Sequence, residues 1–145
     1  MRVVLAADLE ALKEQVIACG IEVHRTLGPG LLESIYQDCM AIELRAAGLR
    51  VEREQRVAIR YRDQTVGNSL KVDLAVEDRL IVEIKAVERL HPIFMAQVIT
   101  YLKLTGFPVG LLMNFNTEVL RAGLKVLVHP DLYKQPSASP VSREQ

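Results

Sequence analysis

The sequence contains little of what secreted, membrane-bound or strongly basic proteins need. Of its 145 residues two are cysteine, none is tryptophan and 5% are aromatic. Cys19 and Cys39 lack metal-site spacing, so we expect reduced core thiols. No apolar run reaches the ~18 residues that cross a membrane, and the first ten residues lack a signal-peptide core. These absences predict a cytoplasmic protein with no membrane partner.

The charge balance and the apolar content limit the class of protein further. Eighteen Lys and Arg balance eighteen Asp and Glu, so the formal net charge is zero. A protein that binds nucleic acid through the electrostatic field of its net charge is usually basic, although the sequence still allows a local basic face. Half of the residues are apolar, enough for one core. We expect a single domain over 1–129 and a polar, Pro- and Ser-containing tail over 130–145.

The first half of the domain has helical periodicity. Apolar residues recur at steps of three and four from Asp8, a candidate N-cap, to Leu27. Gly28-Pro29-Gly30 then ends this helix, and a second helix follows with Gly48 after its C-terminus. The pattern predicts an N-terminal helical hairpin.

The period changes to two after this hairpin. Strands are predicted over 49–61, 70–76, 80–87, 109–113 and 124–128. A helix that begins at Pro92 separates the third strand from the fourth. Short turns make the first three strands antiparallel, and the helical crossover makes the fourth parallel to one of them. The expected fold class is α/β, with a mixed sheet flanked by helices.

Two carboxylates interrupt the second and third strands. Asp73 and Glu83 lie where a covered strand should be apolar. A three-residue loop, 77–79, sets Asp73 opposite Glu83 and keeps the apolar face unbroken, with Leu70, Val72, Leu74 and Val76 together. A two-residue loop would send Glu83 to the other face. The pattern predicts the three-residue loop, and with it the convergence of Asp73, Glu83 and Lys85.

Two adjacent carboxylates repel and are costly to desolvate, so a cation would stabilise them. Oxygen ligands and retained waters are what Mg²⁺ prefers, and Mn²⁺ accepts a similar set. Lys85 follows Glu83 on the same face and would stabilise charge on a phosphate. The residues alone therefore predict a metal site that activates water against a phosphodiester. The alternative is a structural ion-pair cluster.

At these residues the sequence resembles the PD-(D/E)XK nuclease superfamily, because Asp73 matches its aspartate and Glu83-Ile84-Lys85 its E-x-K. More closely, the sequence is similar to the small bacterial GxxExxY family, whose name motif matches Gly30, Glu33 and Tyr36. The blocks that carry this similarity are IEVHRTLGPGLLESIYQ, DLAVEDRLIVEIKAVERL, AQVITYLKLTG and GLLMNFN.

The resemblance implies a restriction-endonuclease-like core, α-β-β-β-α-β, that cleaves nucleic acid, with DNA as the expected partner. It implies Asp73, Glu83 and the backbone carbonyl of Ile84 as metal ligands, with Lys85 as the catalytic lysine. Glu33 matches an additional acidic ligand, and Gln97 a polar site position on the helix after E-x-K. The sequence departs from the family at Phe94-Met95, where we expect a polar pair.

Several of these residues have simpler interpretations. Glu33 suits the first turn of a helix through the helix dipole. Tyr36 is typical of core packing, and His24, an auxiliary candidate because it is expected near Glu33, is typical of a hydrogen-bonded structural histidine. Gln97 on an apolar helix face must form a hydrogen bond if it is buried.

The activity also has alternatives. The domain could be catalytically inactive and bind nucleic acid or a partner protein, since a fold does not fix a function. Hydrolysis of a small phosphoester is a third hypothesis. A homodimer is a further expectation, because so small a domain offers little surface to a duplex.

Overall fold

Two helices precede the sheet in the computed structural model, which describes residues 3–133. The helices are α1 (Ala7–Leu27), α2 (Glu33–Ala46) and α3 (Pro92–Thr105), and short 3-10 turns cover Leu120–Gly123 and Pro130–Tyr133. The strands are β1 (Val51–Val57), β2 (Arg60–Tyr61), β3 (Gln64–Thr65), β4 (Leu70–Val76), β5 (Leu80–Lys85), β6 (Val109–Asn114) and β7 (Leu124–Val128).

The main sheet has the order β1-β4-β5-β6-β7. Neighbouring strands are antiparallel except β5 and β6, which are parallel. A parallel pair needs a crossover, and α3 supplies it between these two strands. The predicted mixed α/β fold is confirmed.

Helices cover both faces of this sheet. On one face α1 and α2 pack on β4, β5 and β6 through residues such as Val16, Tyr36 and Leu111. On the other face Val98 and Leu102 of α3 pack on Ile81 and Leu112. Every residue of β6 is buried, because this strand has neighbours on both edges and helices on both faces.

The predicted N-cap of the first helix is wrong by two residues. The helix begins at Ala7 with Ala6 as its N-cap, and no side chain caps it. Asp8 lies inside the first turn, and its carboxylate is 3.1 Å from the Arg79 guanidinium. The helix dipole and this ion pair favour the acid inside the turn. The predicted C′ position is confirmed, since Gly48 has a φ of 83° just after the C-cap Ala47.

The predicted continuous strand over 49–61 is also wrong, because the chain leaves the main sheet after Val57. Arg60 and Tyr61 pair instead with Gln64 and Thr65 in a separate two-stranded hairpin. The turn residues Arg62 and Asp63 have φ values of 49° and 62°. Positive φ at both central residues gives the twist that a two-residue hairpin requires.

The expected apolar face of β4 is broken at Val72. Leu74 and Val76 pack on the side of α1 and α2, whereas Val72 packs with Val98 on the side of α3. The ladder between β1 and β4 omits the position of Glu54, which has a φ of 50°. This irregularity turns the two strands locally, so strict alternation fails.

The predicted tail begins as ordered chain. Pro130–Tyr133 form a 3-10 turn, and the His129 Nδ1 atom accepts a hydrogen bond of 3.0 Å from the Asp131 amide. The rest of the predicted tail, 134–145, lies outside the described residues. Across residues 3–133, no helix combines the length and the apolar character needed to cross a membrane.

Candidate active site

The loop between β4 and β5 has the predicted three residues. Glu77 and Asp78 have φ values of 53° and 52°, and the Arg79 amide donates to the Val76 carbonyl at 3.0 Å. The two strands then pair Val76 with Leu80 and Leu74 with Val82. This is the register that the apolar pattern predicted, and it brings Asp73 beside Glu83.

The two carboxylates continue the hydrogen bonding between β4 and β5 beyond the last backbone pair. The Asp73 amide donates to Glu83 Oε1 at 3.0 Å, and the Ile84 amide donates to Asp73 Oδ2 at 2.9 Å. Among the described residues, no donor reaches the other oxygen of either carboxylate, and neither oxygen is sealed from solvent. One oxygen of each acid is therefore fixed by the backbone while the second remains available to a ligand.

The environment of this pair disfavours two negative charges. Burial, followed by the charge of Asp73, raises the pKa of Glu83 to about 8, against the Asp73 amide and Lys85, which lower it. Burial also raises the pKa of Asp73, against the Ile84 amide and the charge of Lys85. The charge of Glu33 raises the pKa of both acids. A bound cation would relieve this repulsion.

The donor set fits a hard divalent cation that retains most of its water. Within residues 3–133, no three His, Cys, Asp or Glu side chains are grouped as a metal site. Mg²⁺ does not need such a group, because it binds through one or two carboxylates and keeps several waters. The free oxygens of Asp73 and Glu83 supply that number.

Lys85 lies near Asp73 and Glu83, but its ammonium group does not form the expected contact with their carboxylates. Its Nζ atom is 4.3 Å from the centre of the Phe94 ring, a cation–π contact. No carboxylate of the described residues lies within 4.0 Å of this ammonium group. Its charge still lowers the pKa of both acids. Phe94, one of the two residues that depart from the family pattern, is therefore the residue that the Lys85 side chain contacts.

The structure explains the spacing of Gly30, Glu33 and Tyr36. The buried Tyr36 hydroxyl donates to the Gly28 carbonyl at 2.6 Å and accepts from the Leu31 amide at 3.1 Å, which fixes the loop before α2. Glu33, the first residue of α2, follows this loop, and its Oε2 atom accepts a 3.2 Å hydrogen bond from the Ala86 amide. The loop therefore places an acidic side chain at the end of β5.

Tyr36 itself is a packing residue, as its simpler interpretation predicted. Its ring is fully buried and stacks on Phe115, with 4.6 Å between the ring centres. His24 is structural in the same way. It is buried, and its Nε2 atom donates to the Thr117 carbonyl at 2.7 Å.

Gln97 does not join the carboxylates by a hydrogen bond in the described part of the chain. It is exposed in a groove, so burial does not force a partner on it. The helix face that carries Gln97 lies along this groove, which is lined by Ile93, Ala96, Gln97, Thr100, Tyr101 and Leu104 of α3 and by Ile59 and Leu70. Val98 and Leu102 make the core contacts of α3 instead.

Asn114, whose position at the end of β6 predicts a role in the turn that follows, accepts a hydrogen bond from the Asn116 amide at 3.2 Å and also anchors a second segment of the chain. Its side chain is buried, accepts from the Val87 amide at 3.0 Å and donates to the Val87 carbonyl at 2.9 Å. The side-chain amide thereby pairs with the Val87 backbone as a neighbouring strand would, and it fixes the chain that follows Lys85. The signal was a polar residue at the end of an otherwise apolar central strand.

A mixed five-stranded sheet between two helical layers, with paired carboxylates where two strands separate, defines a restriction-endonuclease-like domain. The model of the PD-(D/E)XK nuclease superfamily matches residues 10–127, and the chain therefore belongs to this superfamily. No curated protein and no solved structure matches the chain. Membership implies a nucleic-acid substrate, and nucleases of this superfamily generally use divalent metals.

Proposed function

We propose that the protein is a metal-dependent nuclease of the GxxExxY type that hydrolyses phosphodiester bonds in DNA. The observation that carries the proposal is the pair of carboxylates, each fixed by a backbone amide of the other strand and each with one oxygen left free. Such an arrangement is prepared for a cation before the cation arrives. The nuclease unit is residues 1–129, followed by a tail over 130–145.

Asp73 and Glu83 would hold Mg²⁺ or Mn²⁺ through their free oxygens, with the Ile84 carbonyl as a further ligand. Glu33, which the described structure does not group with them, would join as a ligand after its side chain moves towards the ion. The cation would supply a water of lowered pKa, the nucleophile for hydrolysis at neutral pH. Lys85 would place its ammonium group beside the phosphate and stabilise the charge that develops there. Gln97 would contact the substrate in the groove, and Tyr36 would position Glu33 by fixing the loop before α2. His24 would only support the loop that contains Thr117.

The second candidate is a catalytically inactive domain that binds nucleic acid or a partner protein. The placement of Lys85 favours it, because the ammonium group lies on the Phe94 ring and forms no ion pair with the described carboxylates. The two candidates differ in whether the carboxylates bind a cation. A cytoplasmic homodimer is compatible with either.

The test is a cleavage assay on single-stranded DNA, duplex DNA and RNA with Mg²⁺ or Mn²⁺. We expect Asp73→Asn and Lys85→Ala each to reduce the rate on the cleaved substrate by about 10²-fold or more. Asp131→Asn, an equivalent substitution at an exposed position, should have no effect. Activity that survives both site substitutions would refute the mechanism.

Calorimetry with Mn²⁺ separates the two candidates. The nuclease should bind the ion, and Asp73→Asn should weaken that binding. Absence of Mn²⁺ binding between pH 6 and 9, together with retained nucleic-acid binding, would instead establish the inactive domain.

A further inference from the structure

The hairpin formed by β2 and β3, here called the arginine hairpin and defined as residues 60–65, lies outside the main sheet. Its two strands pair only with each other. Every residue from 60 to 68 is exposed, and none belongs to either hydrophobic cluster. The fold therefore does not use this segment for its core, and the packing of the sheet does not explain its side chains.

Three arginines at and beside this hairpin carry uncompensated charge. Arg50 and Arg53, earlier on the same stretch, form ion pairs with Glu77 and with Asp38. Within residues 3–133, by contrast, no carboxylate lies within 4.0 Å of the guanidinium groups at positions 56, 60 and 62. Although the net charge of the chain is zero, this stretch therefore carries three guanidinium groups that form no ion pair with the described carboxylates.

Neutral groups hold two of these guanidinium groups in place. Arg56 donates to the Ser69 hydroxyl at 3.2 Å, and Arg60 donates to the Thr65 hydroxyl at 3.0 Å and to the Asp63 carbonyl at 2.5 Å. These contacts orient the side chains without cancelling their charge. An oriented guanidinium group suits an anion with oxygens at its surface, such as a phosphate.

An aromatic ring accompanies the charges. Tyr61 is 64% exposed, and the Arg62 guanidinium lies 5.7 Å from its ring centre. An exposed ring that is not part of a core offers a face on which an unpaired base can stack. Arginine and aromatic side chains side by side are typical of surfaces that bind single-stranded nucleic acid.

The arginine hairpin also leads directly into the candidate active site. After its second strand the chain passes through residues 66–69 into β4, which carries Asp73, and Lys71 of β4 pairs with Arg56 of β1. The groove beside Gln97 and Tyr101 begins at Ile59 and Leu70.

We propose that the arginine hairpin binds the sugar–phosphate backbone of a single-stranded segment of the substrate, with a base stacked on Tyr61. The inference deepens the proposed function and rests on it. It assigns strand preference to a surface that is separate from the carboxylates.

The test measures binding without cleavage, by fluorescence anisotropy of labelled single-stranded and duplex DNA and RNA in EDTA. Arg60→Ala/Arg62→Ala should weaken binding of the single strand at least tenfold and reduce the salt-dependence slope by about 1.4, the value for two phosphate contacts. Arg60→Lys/Arg62→Lys should keep most of that slope. The matched control is Arg121→Ala/Lys125→Ala, which removes two exposed charges, one from β7 at the edge of the sheet opposite β1 and one from the 3-10 turn before β7.

Tyr61→Leu tests the stacking contact. We expect about a tenfold loss for the single strand and little change for the duplex. Circular dichroism and thermal unfolding should show a native fold for each variant, because the hairpin contributes nothing to either hydrophobic cluster.

Each outcome has one meaning. Equal affinity of the Arg60/Arg62 variant and its control would overturn the inference and leave the nuclease proposal standing. Equal losses on duplex and single strand after Tyr61→Leu would overturn the assigned strand preference. Failure of the unsubstituted protein to bind any nucleic acid in EDTA would overturn the inference, whereas the cleavage assay with Mg²⁺ or Mn²⁺ decides the nuclease proposal separately.

Discussion

Asp73 and Glu83 each accept a hydrogen bond from the backbone of the strand that carries the other. The Asp73 amide donates to Glu83 Oε1 at 3.0 Å, and the Ile84 amide, directly after Glu83, donates to Asp73 Oδ2 at 2.9 Å. Carboxylates thus occupy the places where carbonyls would continue the β4–β5 ladder. Their orientation is set by the sheet and does not depend on a ligand.

The first prediction concerns pH and the stability of the metal-free protein. In the unfolded chain Glu83 ionises near its ordinary pKa of 4.5, whereas in the folded protein its pKa is raised to about 8. Between these values the folded state binds more protons, so the free energy of unfolding falls as pH rises. We expect a loss of about 3 to 5 kcal/mol between pH 4.5 and 8, measured by urea unfolding in EDTA.

Glu83→Gln is the control for this prediction, because the amide keeps the shape of the side chain and cannot ionise. The decrease in the free energy of unfolding between pH 4.5 and 8 should be much smaller in that variant. Equal slopes in the two proteins would show that Glu83 is already ionised at neutral pH without a metal. Added Mn²⁺ should stabilise the unsubstituted protein more at pH 8 than at pH 5, since ligands bind as anions.

The second prediction separates the charge of Glu33 from its hydrogen bond to Ala86. Glu33→Gln keeps an acceptor for the Ala86 amide but removes the negative charge, and Glu33→Ala removes both. If Glu33 is a ligand, both variants should weaken Mn²⁺ binding, by about tenfold in calorimetry. Glu118→Gln removes an exposed charge elsewhere and should bind normally. Normal Mn²⁺ binding by Glu33→Gln would show that Glu33 is not a ligand and only stabilises the first turn of α2.

The third prediction concerns Phe94 and Lys85. Because the Lys85 ammonium group lies 4.3 Å from the ring centre, the ring current should shift the ε-methylene protons of Lys85 upfield. Phe94→Leu should abolish this shift, whereas Phe94→Tyr should retain it. The NMR measurement is independent of activity. An unshifted Lys85 resonance in the unsubstituted protein would contradict the contact itself.

The fourth prediction concerns the loop before α2. Tyr36→Phe removes the hydrogen bonds to the Gly28 carbonyl and from the Leu31 amide but keeps the ring that stacks on Phe115. We expect a loss of about 1 to 3 kcal/mol in the free energy of unfolding, measured by denaturant titration. Tyr133→Phe is the matched control at an exposed position. Equal stability of the two variants would mean that the loop does not need this anchor.

Sequence periodicity was sufficient where one local rule decided the structure. Pro92 and Gly106 bound α3, and the strand 124–128 has the predicted bounds. The loop 77–79 followed from the apolar pattern, because a one-residue change of register would have moved Glu83 to the other face. The same rule failed in β1 and at Val72, because positive φ at Glu54 and in the hairpin turn interrupts alternation without a glycine to signal it.

The sequence by itself determined the fold class, the superfamily and the pairing of Asp73 with Glu83, since periodicity, motif spacing and strand register are local or pairwise properties of the chain. Only the tertiary structure decided what surrounds these residues. It placed Lys85 on Phe94, Glu33 on the Ala86 amide, His24 on the Thr117 carbonyl and Gln97 in an open groove. Those placements join different helices, strands and loops, and they depend on how these elements pack, which no local pattern specifies.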